Sequence, residues 1–517
     1  MHRLSAILLS LVLLLGATAS SALAQNIEYR PVEDELFGVS SVVPADWQDQ
    51  GFGSYSRGTP PADLALIAIQ STPGAIDEVW PALLPQFGLD AVPEVSDERS
   101  LENGDWQFYR FDLAPGGVDV AVEVVMSERD GTTYLLLMQS APDEFATLRE
   151  QVLVPAVEAF TPYAPEPDID PDGAGYRSEE VAFPGGAEGV ELAGTLTLPD
   201  TSGPHPVVVT MSGSGPSDRD ESLAPISTFK PFADLADALT GAGVGVLRYD
   251  DRGVGESTGE HGTATIQDFT ADAAAALDYL TTRDDVDAER IGLFGHSEGG
   301  LYAAMLGASD PRVAYIGMMG PGVVDGISLI VEQNVLTSRA AGASDELAEA
   351  AGELAAEIMP LVVAGEFAEV RRIGREFFGQ LWDGLTPEEQ SAVGDRDAYI
   401  ESGFDAQMPI YESDWYRSFL AYDSVPDWEQ VTVPVLGIFG GKDTQVAAEP
   451  NEAALREALE VAGNEDVTTV VIPDANHLFQ EAETGAFSEY GELEPEFIDG
   501  FLDTVVDWMV VRADVGK

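Results

Sequence analysis

The chain has 517 residues, 45% of them hydrophobic, which is enough for two domains, or one domain with a large insertion, and for real cores. Its 91 Asp and Glu against 25 Lys and Arg give a net charge of −66, a field that repels nucleic acid and anionic membranes and excludes both as partners. The lack of cysteine and the presence of only five histidines rule out disulfides and thiolate metal sites and argue against a catalytic metal.

The first 24 residues read as a secretory signal: Met1-His2-Arg3 is basic, Leu4 to Leu15 is apolar, and Ala22-Leu23-Ala24 suits a peptidase cutting before Gln25. The apolar core is short for a membrane span and no cysteine is present to carry a lipid, so export to the periplasm or the medium is expected, without a stable membrane anchor. Cleavage removes Arg3 and leaves 91 acidic against 24 basic residues, or −67. Highly acidic chains are often disordered, yet apolar strand and helix periods persist throughout this one. A folded, salt-adapted (halophilic) protein is the better expectation, because salt screens the self-repulsion.

Residues 25–160 are expected to form a smaller α+β domain. Phe37 to Pro44, Leu64 to Ile69, Trp106 to Leu113, Val118 to Ser127 and Thr132 to Ser140 read as strands, and Ala75 to Phe87 as a helix. Phe145 to Phe160 reads as a closing helix that Pro155 should break or kink. With Val43-Pro44-Ala45-Asp46-Trp47, this element order resembles the PsbP/Mog1-like fold, and no catalytic cluster occurs in it. Residues 161–178, rich in proline and aspartate, read as a linker.

Residues 179–517 alternate strands and helices. Glu179 to Phe183 and Leu192 to Leu198 open as an antiparallel pair. Val207 to Met211, a helix at Phe232 to Thr240, Val244 to Tyr249 and a helix at Ile266 to Leu280 follow, the pattern of an α/β fold with a mostly parallel sheet covered on both faces. Ile291 to Phe294 then leads as a strand into Gly295-His296-Ser297-Glu298-Gly299, and Leu301 to Leu306 continues as a helix. A Gly-x-Ser-x-Gly turn between strand and helix exposes the serine hydroxyl at its tip. After the strand Val313 to Met319 the alternation stops, and residues 323–431 read as an inserted helical cap with helices at Ser328 to Ala341, Asp345 to Val363, Glu366 to Phe378 and Pro387 to Val393. Trp415, Tyr416, Phe419 and Tyr422, near its exit, are candidates for an acyl pocket or for packing inside the cap. The core resumes with Val433 to Phe439, a helix at Ala447 to Ala462, the strand Val467 to Ile472 and a last helix at Pro495 to Val511.

A serine nucleophile needs a base and a carboxylate to orient that base. His2 lies in the leader, His296 within the turn and His205 before a strand, which leaves His261 and His477. Only His477 follows the serine, in a loop after a strand. Asp443 follows Gly440-Gly441-Lys442 at the end of another strand, and Asp474 is its rival. The order Ser297, Asp443, His477 is the one an α/β-hydrolase triad takes.

From about residue 180 onward the chain resembles the bacterial α/β-hydrolase esterases of the serine-aminopeptidase-like group, with their Gly-His-Ser-Glu-Gly-Gly turn. Further landmarks of the resemblance are Ser212 to Asp220 after the third strand, Asp250 to Ser257 after the fourth, and Gly440 to Asp443. The resemblance implies an α/β-hydrolase fold and a serine hydrolase that cleaves carboxylic esters through an acyl-enzyme, with a small ester or short peptide as substrate and no cofactor. The oxyanion donors are expected to be backbone amides, one from Glu298 and one from the loop after the third strand, Ser214 or next Gly213. Asp218, Arg219, Asp220, Asp250, Asp251, Arg252 and Lys442 are expected to brace loops. A peptidase with the same triad, a thioesterase and a non-catalytic binding protein are the alternatives.

Overall fold

The computed structural model describes residue 27 and residues 29–515, apart from 35–36, 52, 59–62, 88, 90, 102, 114–118, 130, 163–174, 224–225, 388–389 and 391–394. The secretory signal expected at 1–24 lies outside the described residues, as does most of the helix expected at Pro387 to Val393. Among the described residues no helix is long and apolar enough to cross a membrane. The chain divides into two units, Met1–Asp168 and Ile169–Lys517.

The first unit carries strands β1 (Tyr29–Asp34), β2 (Val39–Pro44), β3 (Gln48–Gly51), β4 (Ser54–Ser56), β5 (Leu66–Pro73), β6 (Val95–Leu101), β7 (Gly104–Leu113), β8 (Val120–Arg129), β9 (Thr132–Ser140) and β10 (Thr161–Pro162). Seven of them form an antiparallel sheet in the order β3-β4-β5-β9-β8-β7-β6, and β1-β2-β10 form a small second sheet. Period-2 alternation in β8 sorts its side chains between two cores. Val122, Val124 and Met126 pack with Val79, Trp80 and Leu83 of the helix Ile76–Phe87. Ala121 and Val125 pack with Leu148, Val152 and Val157 of the C-terminal helical segment. Glu123 falls on this second face and is buried there, with Arg149 Nε donating to it at 2.6 Å.

Pro155 does not break the closing helix. A π-turn at Arg149–Leu153 leads directly into Val154–Ala159, and the carbonyl four residues before the proline, that of Gln151, accepts the Tyr29 hydroxyl at 2.7 Å. The carbonyl that proline cannot serve thus has another donor. The linker is shorter than residues 161–178. Thr161 and Pro162 pair with β2, and Tyr176 already belongs to the next unit's first strand.

The second unit carries β11 (Tyr176–Pro184), β12 (Glu191–Pro199), β13 (His205–Met211), β14 (Gly245–Tyr249), β15 (Val286–His296), β16 (Val313–Met319), β17 (Val435–Gly440) and β18 (Val467–Ile472). They form one sheet in the order β11-β12-β14-β13-β15-β16-β17-β18. β11, β12 and β14 pair antiparallel, and every pairing from β14 to β18 is parallel. All seven residues of β13 and all six of β17 are buried, as expected of strands with helices on both faces. One face packs Val209, Leu293 and Ile316 against the helices Ile266–Thr281 and Gly299–Ser309. The other packs Val208, Phe294, Tyr315 and Ile438 against Pro231–Gly241 and Phe501–Arg512. That last helix starts later than Pro495, because Gly500 has φ +85° at its entry. Parallel strands bring their C-terminal ends to one edge, so the loops after β13, β15, β17 and β18 gather there. The cap follows β16 as the helices Gly326–Ala340, Asp345–Ala364, Phe367–Gly384, Arg396–Gly403, Asp414–Ala421 and shorter turns.

Candidate active site

Ser297 sits between β15 and the helix Gly299–Ser309 with φ +52°, a left-handed conformation that costs a non-glycine residue about 1–3 kcal/mol. The neighbouring structure maintains it. The Ser297 amide donates to Met319 of β16 at 3.0 Å, and its carbonyl accepts the Gly300 amide at 3.0 Å. A Cβ on Gly299 would lie 2.2 Å from the Met211 carbonyl, and one on Gly295 would lie 2.5 Å from the Gly299 carbonyl. The crossing backbones therefore require both glycines.

His477 Nδ1 lies 2.7 Å from Asp443 Oδ2, and both side chains are almost fully buried. Asp443 Oδ1 accepts the Gln445 and Val446 amides, each at 2.8 Å. The carboxylate is thus held by backbone on one side and holds the imidazole on the other, which fixes the proton on Nδ1 and leaves Nε2 as the basic nitrogen. Buried Asn476 shapes the histidine loop, its Oδ1 accepting the Leu478 and Gln480 amides at 3.0 and 2.9 Å. Ser297 and His477 line a common cavity of about 580 Å³. Asp474 is exposed, and His261 is placed away from the cavity lining, against Phe269.

Of the expected oxyanion donors, Gly213 is corrected. Its amide donates to Glu221 Oε1 at 2.6 Å, so that N–H is already used and is not offered to a substrate. The Ser214 and Glu298 amides remain. Their side chains also meet, Ser214 Oγ donating to Glu298 Oε2 at 2.7 Å. Glu298 is buried and accepts in addition the Tyr302 hydroxyl and the Trp415 indole N–H. Burial raises its carboxyl above the usual glutamate range, although these three donors pull it the other way.

The charged residues after β13 and β14 brace their loops. Arg219 meets Asp250, Glu180 and Glu256, Arg248 meets Asp220, and buried Arg252 donates to Asp272 at 2.6 and 2.9 Å. Asp218 accepts the Asp220 and Ser222 amides, and Asp251 accepts that of Ser217. Lys442 Nζ donates to the Glu483 carbonyl at 3.0 Å. Trp415, Tyr416, Phe419 and Tyr422 all line the cavity, with Gln333, Asn334 and Gln407 from the cap. Among the described residues its lining has no lysine or arginine, and its carboxylates are Glu221 and Glu298. The sequence reading did not find Glu221, which belongs to no motif and is joined to the site by folding, or Asn476, which precedes His477 but whose loop-shaping hydrogen bonds only the fold shows.

Residues 226–342 match the family model of the serine aminopeptidases S33. The chain is 25% identical over 448 residues to the esterase EstD of Thermotoga maritima, covering 86% of this chain and 88% of that one. That match is longer than the second unit and so runs into the first. It is also 33% identical over 126 residues to the putative hydrolase YtaP of Bacillus subtilis, covering 22% and 42% of the two chains. Among solved structures it is similar to the Pyrococcus furiosus esterase Pf2001, at 16% identity and a TM-score of 0.39 over 67% of this chain and 94% of that one. The turn serine, the sheet order and the family-model match to residues 226–342 make the second unit similar to the serine-aminopeptidase-like α/β-hydrolases.

Proposed function

We propose that the protein hydrolyses small carboxylic esters through Ser297, His477 and Asp443. The observation that carries this reading is the buried 2.7 Å contact of His477 with Asp443 on the wall of the cavity that Ser297 also lines. His477 Nε2 takes the Ser297 proton, and the alkoxide adds to the ester carbonyl. The Glu298 and Ser214 amides hold the resulting oxyanion. His477 then returns the proton to the departing alcohol, and water repeats the sequence on the acyl-enzyme to release the acid. Asp443 stabilises the imidazolium that forms in each half.

A cavity lined by Trp415, Tyr416 and Phe419 and, among the described residues, by no lysine or arginine, with His296 in its wall paired to Glu221, favours neutral esters with an apolar acyl group. The peptidase alternative needs an acid to receive a substrate ammonium. Glu298 is a poor candidate, because Ser214, Tyr302 and Trp415 already occupy its oxygens. The named relative EstD, an esterase, agrees with the ester reading. Export by residues 1–24 and life in salt remain part of the proposal on sequence grounds.

The test is labelling with a fluorophosphonate, followed by kcat/KM on p-nitrophenyl esters and aminoacyl p-nitroanilides. Labelling at Ser297 with a preference for neutral esters is expected. Faster turnover of the anilides would transfer the assignment to a peptidase, and no labelling of folded protein would remove it.

A further inference from the structure

His296, next to the turn serine, is buried and has no part in the proton transfers above. Both of its ring nitrogens face oxygens. Nδ1 lies 2.7 Å from Glu221 Oε1, and Nε2 lies 3.1 Å from the backbone carbonyl of His477. A carbonyl oxygen only accepts, so Nε2 must carry a proton. Glu221 Oε1 also accepts the Gly213 amide at 2.6 Å, a short contact of the kind an ionised carboxylate makes. Nδ1 therefore donates as well. With both nitrogens protonated, the ring is an imidazolium.

We infer that His296 is a resident cation of the site, held by Glu221, and that it acts as a positioning residue for His477. It does so by fixing the backbone of the His477 loop and by opposing a second positive charge on the neighbouring ring. This rests on the reading of His477 as the base. The two ring centroids are 4.6 Å apart, close enough for the charge on one to weigh on the other. Asp443 draws a proton onto His477, and a fixed cation on the opposite side works against that pull, keeping the base ready to accept the serine proton. The groups that face His296 are Glu221 from the loop after β13, Asp443 from the loop after β17 and His477 from the loop after β18. Burial alone would lower the His296 pKa, yet Glu221, the His477 carbonyl and Asp443 together raise it.

Two measurements on the full chain test this. In protein labelled with ¹⁵N-histidine, the His296 nitrogens should both read as protonated from about pH 6 to 8, where a free imidazole would lose its charge. A neutral His296 at pH 7 overturns the inference, and this readout needs no variant to fold. In the second, kcat/KM against pH on a neutral ester is compared for wild type, Glu221→Gln and His296→Gln. The acidic limb should move up by about one pH unit in Glu221→Gln and further in His296→Gln, where Glu221 is left without its counter-charge. Profiles lowered evenly with the limb unmoved would mean that the pair only supports the fold, and would overturn the positioning role. Fluorophosphonate labelling of the same wild-type sample separates the two readings. Failure to label refutes the His477 base and with it the role of the cation, whereas the charge on His296 is judged by its nitrogens.

Discussion

Trp415 Nε1, on a cap helix, lies 3.0 and 3.1 Å from the two carboxylate oxygens of Glu298, the residue after Ser297. One hydrogen-bonding group thus ties the cap to the turn that presents the nucleophile. A hydrogen bond to a charged group contributes about 1.5–3 kcal/mol, so Trp415→Phe should lower the thermal midpoint and raise KM more than it lowers kcat. Thermal melts and steady-state kinetics on one neutral ester check this. An unchanged KM would mean that the contact does not hold the cap over the cavity.

The pH dependence of stability follows from the same carboxylate. Burial holds the folded Glu298 above its unfolded value, so its ionised form is disfavoured in the fold. Its contribution falls as pH rises from about 4.3, the ordinary glutamate value, through the raised folded one. Glu298→Gln should flatten this part of the melting-point profile above about pH 4.3, and Trp415→Phe should steepen it, because one of the opposing donors is gone. Parallel profiles for all three proteins would show that Glu298 does not titrate in this window.

Substitutions in the proposed triad should separate chemistry from folding. Ser297→Ala and His477→Ala should abolish nearly all ester turnover at an unchanged fold. Asp443→Asn should lose on the order of 10⁴ in kcat through the wrong imidazole tautomer. Exposed Asp474 should tolerate Asn with near wild-type rates, and a larger loss there than at Asp443 would reassign the acid.

A chain starting at Ile169 should fold and retain a comparable kcat on small esters, since every residue given a chemical role lies in the second unit. Circular dichroism and ester kinetics on the truncated chain decide it. A folded but inactive product would mean that the first unit helps to build the site.

Stability should depend steeply on salt. With a net charge of −66, raising NaCl from about 0.05 to 2 M shortens the screening length from roughly 14 Å to about 2 Å. The unfolding midpoint should climb most below about 0.5 M and level off above it. A flat midpoint across the series would assign the acidity to solubility alone.

Elements with a strong local signature were legible in the sequence. The buried strand Val313–Met319 and the half-buried edge strand Val467–Ile472 are continuous apolar or β-branched runs, and the serine turn is marked by glycines that crossing backbones require. Chain order and parallel topology were enough to place Ser297, Asp443 and His477 at one edge of the sheet, because each ends or follows a strand that points the same way. Boundaries set by long-range contacts were not legible. Pro155 stays within its helical segment because Tyr29, far away in sequence, meets the Gln151 carbonyl, and the linker shortened because Thr161 and Pro162 found an edge on β2. The tertiary structure alone decided what the polar groups around the site do. Glu221 takes up the Gly213 amide and charges His296, and Trp415 reaches Glu298 across 117 residues of chain. No local pattern encodes such pairings, since a buried polar atom takes whichever partner folding brings within about 3 Å and pays several kcal/mol if none arrives.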